Sequence, residues 1–208
     1  MGFTLRLSHL LGECRRQMNG AVAGSMRYYG ADYGLNYGVS LPTVRSLAAS
    51  EGKDHLYAKY LFEQQVREIR LASLHIAQAQ EITTISELDF WARGIINSEV
   101  AEEAAFVLFQ HVPIVVQWAE SENDLLLYTA LLSISKSNLL EIGDVKSLIY
   151  KVINKNISII TSAIVTLLES YYRSDENRPI IEEIILELPQ SPASKIVKEE
   201  MAWRMECQ

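Results

Sequence analysis

The sequence predicts an all-α fold made of stacked helix pairs. Apolar residues recur at three- and four-residue steps along nearly the whole chain, whereas the period-two alternation of half-buried strands is almost absent. Turn signals divide this pattern into short helices, and pairs of helices recur roughly every 30 to 40 residues. This arrangement is typical of a HEAT-like helical-repeat solenoid, an α-α superhelix. The 208 residues are expected to form a single domain, 1–208, with one sizeable core.

Each predicted helix lies between two such turn signals. The first helices end before Gly20 and Gly52, and a later one ends before Pro113. The segments 56–62 and 66–77 carry the clearest apolar faces. Breaks are also expected at Gly34 to Gly38, Gly143, 154–156 and 189–192. In the segment 179–188 acidic residues separate the isoleucines at helical spacing, which favours a helix over a strand. The predicted helices are 5–18, 41–49, 56–62, 66–77, 87–93, 99–111, 114–120, 124–135, 145–153, 157–172, 179–188 and 194–204.

Residues 26–45 form an irregular segment in this pattern. Four tyrosines alternate with three glycines ahead of Pro42, a residue that favours a helix start. We expect a loop whose aromatic side chains pack on the next helix, because a loop of this length needs its own anchors. The alternative is that its tyrosines and arginines stack on and clamp a nucleic-acid backbone.

Composition excludes several classes of protein. With 49% hydrophobic and 22% charged residues, the chain is typical of a globular protein and not of a disordered one. Cys14 and Cys207 are expected to be reduced thiols, with a bridge between them as the alternative. The four histidines lack ligand spacing, so neither a metal nor another cofactor is expected. The sequence contains no signal peptide and no apolar run of membrane-spanning length, which predicts no membrane association and a cytoplasmic protein.

The net charge of −7 is unevenly distributed along the chain. Residues 1–80 carry nine basic and six acidic residues, or +3, whereas residues 81–208 carry ten and twenty, or −10. The overall charge opposes nucleic-acid binding, so duplex DNA would need a local basic face. Eight basic residues of the first half are candidates for that face, and for each the alternative is a solvated helix surface: Arg15, Arg16, Arg27, Arg45, Lys53, Lys59, Arg67 and Arg70.

An acidic cluster opens the predicted helix after Trp91. Glu99, Glu102 and Glu103 are three and four residues apart, so we expect them to project from one helical face. One interpretation is structural, with Asn97 or Ser98 as the N-cap and the acids complementing the helix dipole. The other is that these carboxylates carry chemistry.

Three stretches between residues 37 and 77 match the pattern of a known family. They are Tyr37-Gly38-Val39-Ser40-Leu41-Pro42-Thr43-Val44-Arg45, Leu56-Tyr57-Ala58 to Leu61-Phe62, and Arg67-Glu68-Ile69-Arg70-Leu71-Ala72-Ser73-Leu74. On these residues the chain resembles a divergent member of the AlkD-like DNA alkylation repair family of HEAT-like repeat DNA glycosylases. The resemblance implies a helical solenoid with a concave surface and excision of N3- or N7-alkylated purines from DNA. Such a cationic base is already a good leaving group, so the enzyme mainly holds the duplex and places a carboxylate beside the sugar.

The family's active stretch reads asparagine, tryptophan, aspartate, two apolar residues and a second aspartate. It falls on residues 97–102, so the resemblance assigns the catalytic carboxylate to Glu102, one methylene longer, with Glu99 as its neighbour. Ser98 replaces the tryptophan. Cationic and aromatic positions of the family fall here on Leu127, Tyr128, Thr166 and Glu169, which removes DNA contacts. The expected DNA-binding residues are Arg45, Arg67, Arg70 and Arg93, together with Trp91, which has a core role as its alternative.

Two functions therefore stay open from the sequence. The first is a DNA glycosylase in which Glu102 stabilises the oxocarbenium character of the sugar. The second is a HEAT-like scaffold that has lost catalysis and binds DNA structure or a protein partner. A basic groove around Glu102 would favour the first function, and a dry acidic cleft would favour the second.

Overall fold

The computed structural model describes residues 2–29 and 33–206. In this part of the chain no β-strand occurs, and a single isolated bridge joins Leu35 and Val66. Short 3-10 segments lie at Ala79–Glu81, Phe109–His111, Pro113–Glu120 and Ile153–Lys155. The predicted all-α class is confirmed. The helices are α1 (Phe3–Arg16), α2 (Gly20–Tyr28), α3 (Leu41–Glu51), α4 (His55–Phe62), α5 (Arg67–Ile76), α6 (Ile85–Ala92), α7 (Ser98–Val107), α8 (Asp124–Ser137), α9 (Ile142–Val152), α10 (Ser158–Tyr172), α11 (Arg178–Glu187) and α12 (Pro192–Glu206).

Helix α2 is the main difference from the prediction. The helical pattern was expected to break at Gly20, and the chain was expected to be irregular from residue 26. Instead, Gly20 begins a helix that continues to Tyr28. The side chain of Asn19 caps this helix by accepting a hydrogen bond from the Val22 amide at 3.2 Å. Gly143 was also wrong as a break, because it lies in the first turn of α9. The predicted helix 114–120 is a 3-10 segment, and α7 ends at Val107.

The chain divides into two compact units, Met1–Ile114 and Val115–Gln208. Helix α5 is the centre of the first unit, where it packs against α3, α4 and α7. All its residues except His75 are buried, including the charged residues Arg67, Glu68 and Arg70. The expectation of a single domain over 1–208 stays a prediction.

Helix α10 has the corresponding place in the second unit. It packs against α8, α11 and α12, and most of its residues are buried. The hydroxyl of Tyr171, near its end, donates a hydrogen bond to the Leu140 carbonyl at 2.6 Å, just beyond the end of α8. Since the ends of α8 and α10 lie together, these two helices run in the same direction.

A repeat is visible in the spacing of side-chain contacts within each unit. Arg67 pairs with Glu99, 32 residues later, in the first unit. Lys155 pairs with Asp124, 31 residues earlier, in the second. Lys146 pairs with Glu183, 37 residues later. These separations agree with the roughly 30 to 40 residues expected for one helix pair, because equivalent helices of successive pairs lie side by side.

Two further expectations concern membrane-spanning helices and the state of the two cysteines. Among the helices of residues 2–29 and 33–206, none is both long and apolar enough to cross a membrane. The thiol of Cys14 is buried and free, and burial raises its pKa to about 12. The predicted role of Cys207 lies outside the described residues.

The segment before α3 is tied to α2 by its backbone. The Asn19 amide donates to the Tyr37 carbonyl at 2.8 Å, and Gly38 follows with a positive φ of 70°. A Cβ atom at Gly38 would lie 2.7 Å from the Ala23 backbone nitrogen. Glycine is therefore required both by the left-handed backbone and by the close approach of α2.

We expect Gly38→Ala to lower the free energy of unfolding by about 1–3 kcal/mol, because it adds backbone strain and a collision. The control is Gly12→Ala in α1, where a Cβ meets no atom within 4 Å. That control should stabilise the protein by about 0.5–1 kcal/mol, since alanine favours a helix over glycine. Urea unfolding followed by circular dichroism measures both. Equal stability of the two variants would contradict this account.

Candidate functional site

The acidic cluster begins helix α7, as the sequence indicates. The side chain of Asn97 accepts a hydrogen bond from the Val100 amide at 3.0 Å, which makes Asn97 the N-cap. Glu99 is in the first turn, where a carboxylate is favoured by the helix dipole. The predicted cap is confirmed, and it fixes the positions of the three glutamates that follow.

Glu99 is bound by an arginine from the neighbouring helix α5. The Arg67 guanidinium donates from Nε at 2.8 Å and from Nη2 at 2.5 Å to the two oxygens of Glu99. The Tyr33 hydroxyl donates to the same carboxylate. Burial and the hydrogen bond to Glu99 raise the pKa of Tyr33, so this hydroxyl stays protonated. Glu99 is thus an anchoring group with its charge balanced.

Arg67 also engages a second carboxylate beneath the loop before α3. Its Nη1 donates to the Val39 carbonyl at 2.8 Å and to Glu68 at 3.1 Å. The Glu68 carboxylate in turn accepts from the amides of Tyr37 and Val39, both at 3.2 Å. Arg67 is 2% exposed and Glu68 is fully buried. Burial lowers the pKa of Arg67, but the interactions with Glu99 and Glu68 outweigh it and raise that pKa overall.

Glu103 is held by a different pair of cations one turn further along α7. Arg45 donates from Nε at 2.9 Å and from Nη2 at 2.7 Å to its two oxygens. Nε2 of His75, on α5, hydrogen-bonds the same carboxylate. Burial by itself would raise the pKa of Glu103, but the hydrogen bonds from His75 and Arg45 outweigh it and lower that pKa to about 2.

Glu102 differs from its neighbours in exposure. Glu103 is buried, Glu99 is half-buried, and Glu102 is exposed to solvent. The three carboxylates, which were expected to project from one helical face, therefore differ in exposure. Glu99 and Glu103, four residues apart, face the packed side of α7 and pair with Arg67 and His75 of α5.

The predicted DNA-binding residues separate by burial in the same way. Arg67 and Arg70 are 2% and 8% exposed, and Trp91 is fully buried. Trp91 packs against the ring of Phe62, with the centroids 4.7 Å apart, as its alternative core role requires. Arg93 is exposed, and the Arg45 side chain is 47% exposed. Arg45 and Arg93 therefore lie at the surface, whereas Arg67, Arg70 and Trp91 belong to the core.

The tyrosines of the segment 26–45 divide between the two interpretations made from sequence. Tyr33 and Tyr37 are 6% and 7% exposed and pack as loop anchors. Tyr28 and Tyr29, at the end of α2, are 83% and 82% exposed and contact each other edge to face. Packing therefore accounts for Tyr33 and Tyr37 and leaves Tyr28 and Tyr29 on the surface.

In the second unit, the positions that depart from the family pattern are structural. Leu127 and Tyr128 are buried in α8, and Thr166 donates to the Ser162 carbonyl at 3.1 Å within α10. Glu169 pairs with Arg173 at 3.1 Å and with Arg204. Its charge is thereby matched within the unit.

The sequence did not indicate the pairing partners that hold Glu99 and Glu103 in place. Glu68 was identified only within the family-matching stretch and His75 only among the four histidines without ligand spacing, yet each contacts a carboxylate network. The available signal was the density of charged residues in α5, a helix whose apolar pattern already predicts burial. Charged residues in a buried helix imply partners, and the sequence cannot say which ones.

Comparisons with known proteins agree with the helical architecture. The model of the family described as DNA alkylation repair enzyme matches residues 13–180. No curated protein sequence matches the chain. One solved structure is described as "a new family of proteins related to the HEAT-like repeat DNA glycosylases with affinity for branched DNA structures". This chain is similar to it with a TM-score of 0.73 and 14% identity, over 98% of this chain and 95% of that one. The likeness shows that the fold is the HEAT-like helical fold predicted from sequence.

Glu103→Gln is expected to lower the free energy of unfolding at pH 7 by roughly 1–3 kcal/mol, because it replaces a buried, doubly bonded carboxylate. The pKa of Glu103 is depressed in the folded state, so its stabilisation is complete above its ordinary value of 4.5. It is lost as the pH falls towards about 2. The stability difference between wild type and variant should therefore shrink between pH 5 and pH 2, as measured by urea unfolding.

The control is Glu122→Gln, since the Glu122 side chain is fully exposed. This substitution should change stability by less than about 0.5 kcal/mol at every pH. A Glu103→Gln penalty that stays constant down to pH 2 would contradict the assigned carboxylate network.

Proposed function

The chain belongs to the DNA alkylation repair enzyme family, and on that premise we propose that it binds DNA and excises cationic alkylated purines. The family match over residues 13–180 is the observation that carries this proposal. N3- and N7-alkylated purines are the proposed substrates. Because such bases are positively charged, they leave the sugar without strong general-acid help, and the developing oxocarbenium needs a nearby negative charge.

Glu102 is the proposed source of that charge. Two features support it: Glu102 falls on the family's catalytic carboxylate, and it is exposed on α7. Glu99 and Glu103 are engaged by Arg67 and Arg45 and hold the helix that carries Glu102. Glu99 is therefore proposed as the positioning neighbour and Glu102 as the catalytic residue.

Arg93 is the proposed contact to the DNA backbone, and Arg45, whose guanidinium is bound to Glu103, is the proposed weaker contact. Both lie in the first unit and both are exposed. Arg67 is buried and all three of its guanidinium nitrogens donate to protein oxygens, so its proposed part is structural support of α5. Local placement of a few cations is what matters here, since a phosphate contact depends on nearby charge more than on the net charge of the chain.

A second candidate is binding of DNA structure without excision. It is favoured by Ser98 at the family's tryptophan position and by Glu169, whose charge is taken up by Arg173 and Arg204. The structural neighbour described as having affinity for branched DNA structures provides a precedent for this candidate. If the protein only binds DNA structure, Glu102 is a surface carboxylate without a chemical role.

Glu102→Gln should abolish the release of 3- or 7-methylpurine from methylated duplex DNA, with a loss of at least about a hundredfold in rate. Glu102→Asp restores the shorter carboxylate of the family and should retain release. Free base is measured by chromatography under single-turnover conditions, with both variants checked for wild-type melting. Equal release by wild type and Glu102→Gln would overturn the role of Glu102, and no release at high protein concentration would favour the second candidate.

DNA affinity should fall steeply as salt rises, because each neutralised phosphate releases counterions. We expect binding of fluorescent duplex DNA to be measurable at low salt, with a linear fall of log affinity against log salt. A four-way junction of matched length serves as the comparison. Tighter binding to the junction, without base release, is the outcome expected of the second candidate. Absence of binding to either DNA at low salt would overturn both.

A further inference from the structure

A cavity of about 230 Å³ lies at the edge of the first unit, between the α4–α5 turn and the end of α6. We call it the arginine cavity. It is separate from the carboxylate network, which its lining does not include. Its lining residues are Phe62, Glu63, Arg70, Phe90, Arg93 and Gly94.

Arg70 is the unusual member of this lining. It is 8% exposed, yet no carboxylate among the described residues pairs with it. Its Nε and Nη2 donate to the carbonyls of Phe62 and Gln64, each at 3.3 Å. Arginine stays protonated in proteins, so the cavity contains a buried and uncompensated positive charge. Burial lowers the pKa of Arg70, which is the mark of that missing partner.

The remaining donor of Arg70 is available to a ligand. Nη1 donates to no described residue, and this nitrogen is not fully buried. It therefore keeps access to the cavity that Arg70 lines. This differs from Arg67, three residues earlier, whose three nitrogens all donate to protein oxygens.

Arg93 adds a second guanidinium to the lining. It is exposed and lies over the ring of Phe90, with Cζ 5.5 Å from the ring centroid. No carboxylate among the described residues pairs with it either. Glu63 is the one acidic member of the lining, so the three charged side chains sum to +1.

Part of the cavity wall is aromatic and closely packed. Phe62 is 2% exposed and packs directly on the backbone of Gly94. A Cβ at Gly94 would overlap the Phe62 ring, with Cδ1 only 2.8 Å away. The rings of Phe62 and Phe90 are 6.3 Å apart. Phe62, Phe90 and Gly94 therefore form a closely packed part of the lining.

We propose that the arginine cavity binds a phosphate group of the DNA backbone, with Arg70 and Arg93 as its two donors. This inference rests on the proposed DNA-binding function and assigns one of its contacts. Planar guanidinium groups match the oxygens of a phosphate, and a phosphodiester carries the single negative charge that the cavity lacks. The ring of Phe90 provides an apolar surface for the adjoining sugar. Such a contact positions a duplex without reading its sequence.

The test measures affinity for fluorescent duplex DNA as a function of salt. Arg93→Ala should weaken binding and make the slope of log affinity against log salt shallower by about 0.9, the value for one lost phosphate. Glu63→Gln removes the acid from the same cavity and should tighten binding. The control, Lys195→Ala, removes one positive charge from α12, where the side chain is 78% exposed, and should change neither quantity.

Arg93 and Glu63 are exposed, so both variants are expected to fold as the wild type does. As a second variant, Arg70→Lys keeps the charge and loses the planar fork, and it should weaken binding in the same direction. An unchanged slope for Arg93→Ala in a protein that binds DNA would overturn the cavity and leave the proposed function intact. Equal losses for Arg93→Ala and Lys195→Ala would also overturn it. Failure of the wild type to bind DNA at low salt would overturn the proposed function, and this inference with it.

Discussion

The buried guanidinium of Arg67 is the interaction on which the first unit depends. Removing such a charge from water costs several kcal/mol, and only a complete set of acceptors offsets that cost. Glu99, Glu68 and the Val39 carbonyl provide the set. Because these acceptors come from α7, α5 and the loop before α3, one charge fixes the relative positions of three segments. Glu68 extends the network by accepting the amides of Tyr37 and Val39, which would otherwise be unpaired in a buried loop.

This network also explains why the glutamates of the acidic cluster differ in exposure and pairing. Helix α7 presents Glu99 and Glu103 to cations of α5 and α3, and these contacts leave it little freedom to rotate or slide. Glu102 stands on the exposed side of the same helix, so it is held by a rigid support. A positioned carboxylate needs such support, since a displacement near 1 Å costs about a hundredfold in rate when positioning is the mechanism. The same rigidity would serve a protein that only binds DNA, so the network supports Glu102 without deciding its chemistry.

Most helices could be predicted because apolar periodicity and caps are local signals. Helix α2 could not, because its glycines lower helix propensity and its face is only weakly apolar, while the cap at Asn19 and contacts with the next loop stabilise it. The cap at Asn97 was predictable, but the burial and the pairing partners of the glutamates that follow it were not. Whether a charged residue is buried depends on a partner about 30 residues away, as for Arg67 and Glu99. For this reason Arg67 and Arg70 look like surface cations in the sequence, although both lie in the core.

The acidic composition of the chain is a weaker argument against DNA binding than the net charge of −7 suggests. Several glutamates cancel cations within their own unit, as Glu103 does for Arg45 and Glu169 does for Arg204. Paired charges produce little field beyond about 8–10 Å at physiological ionic strength, so the groups that attract a polyanion are the cations left without a carboxylate. Arg70 and Arg93 are two such groups among the described residues, and they line one cavity. The proposed phosphate contact therefore depends on these two guanidinium groups and not on the total charge of the chain.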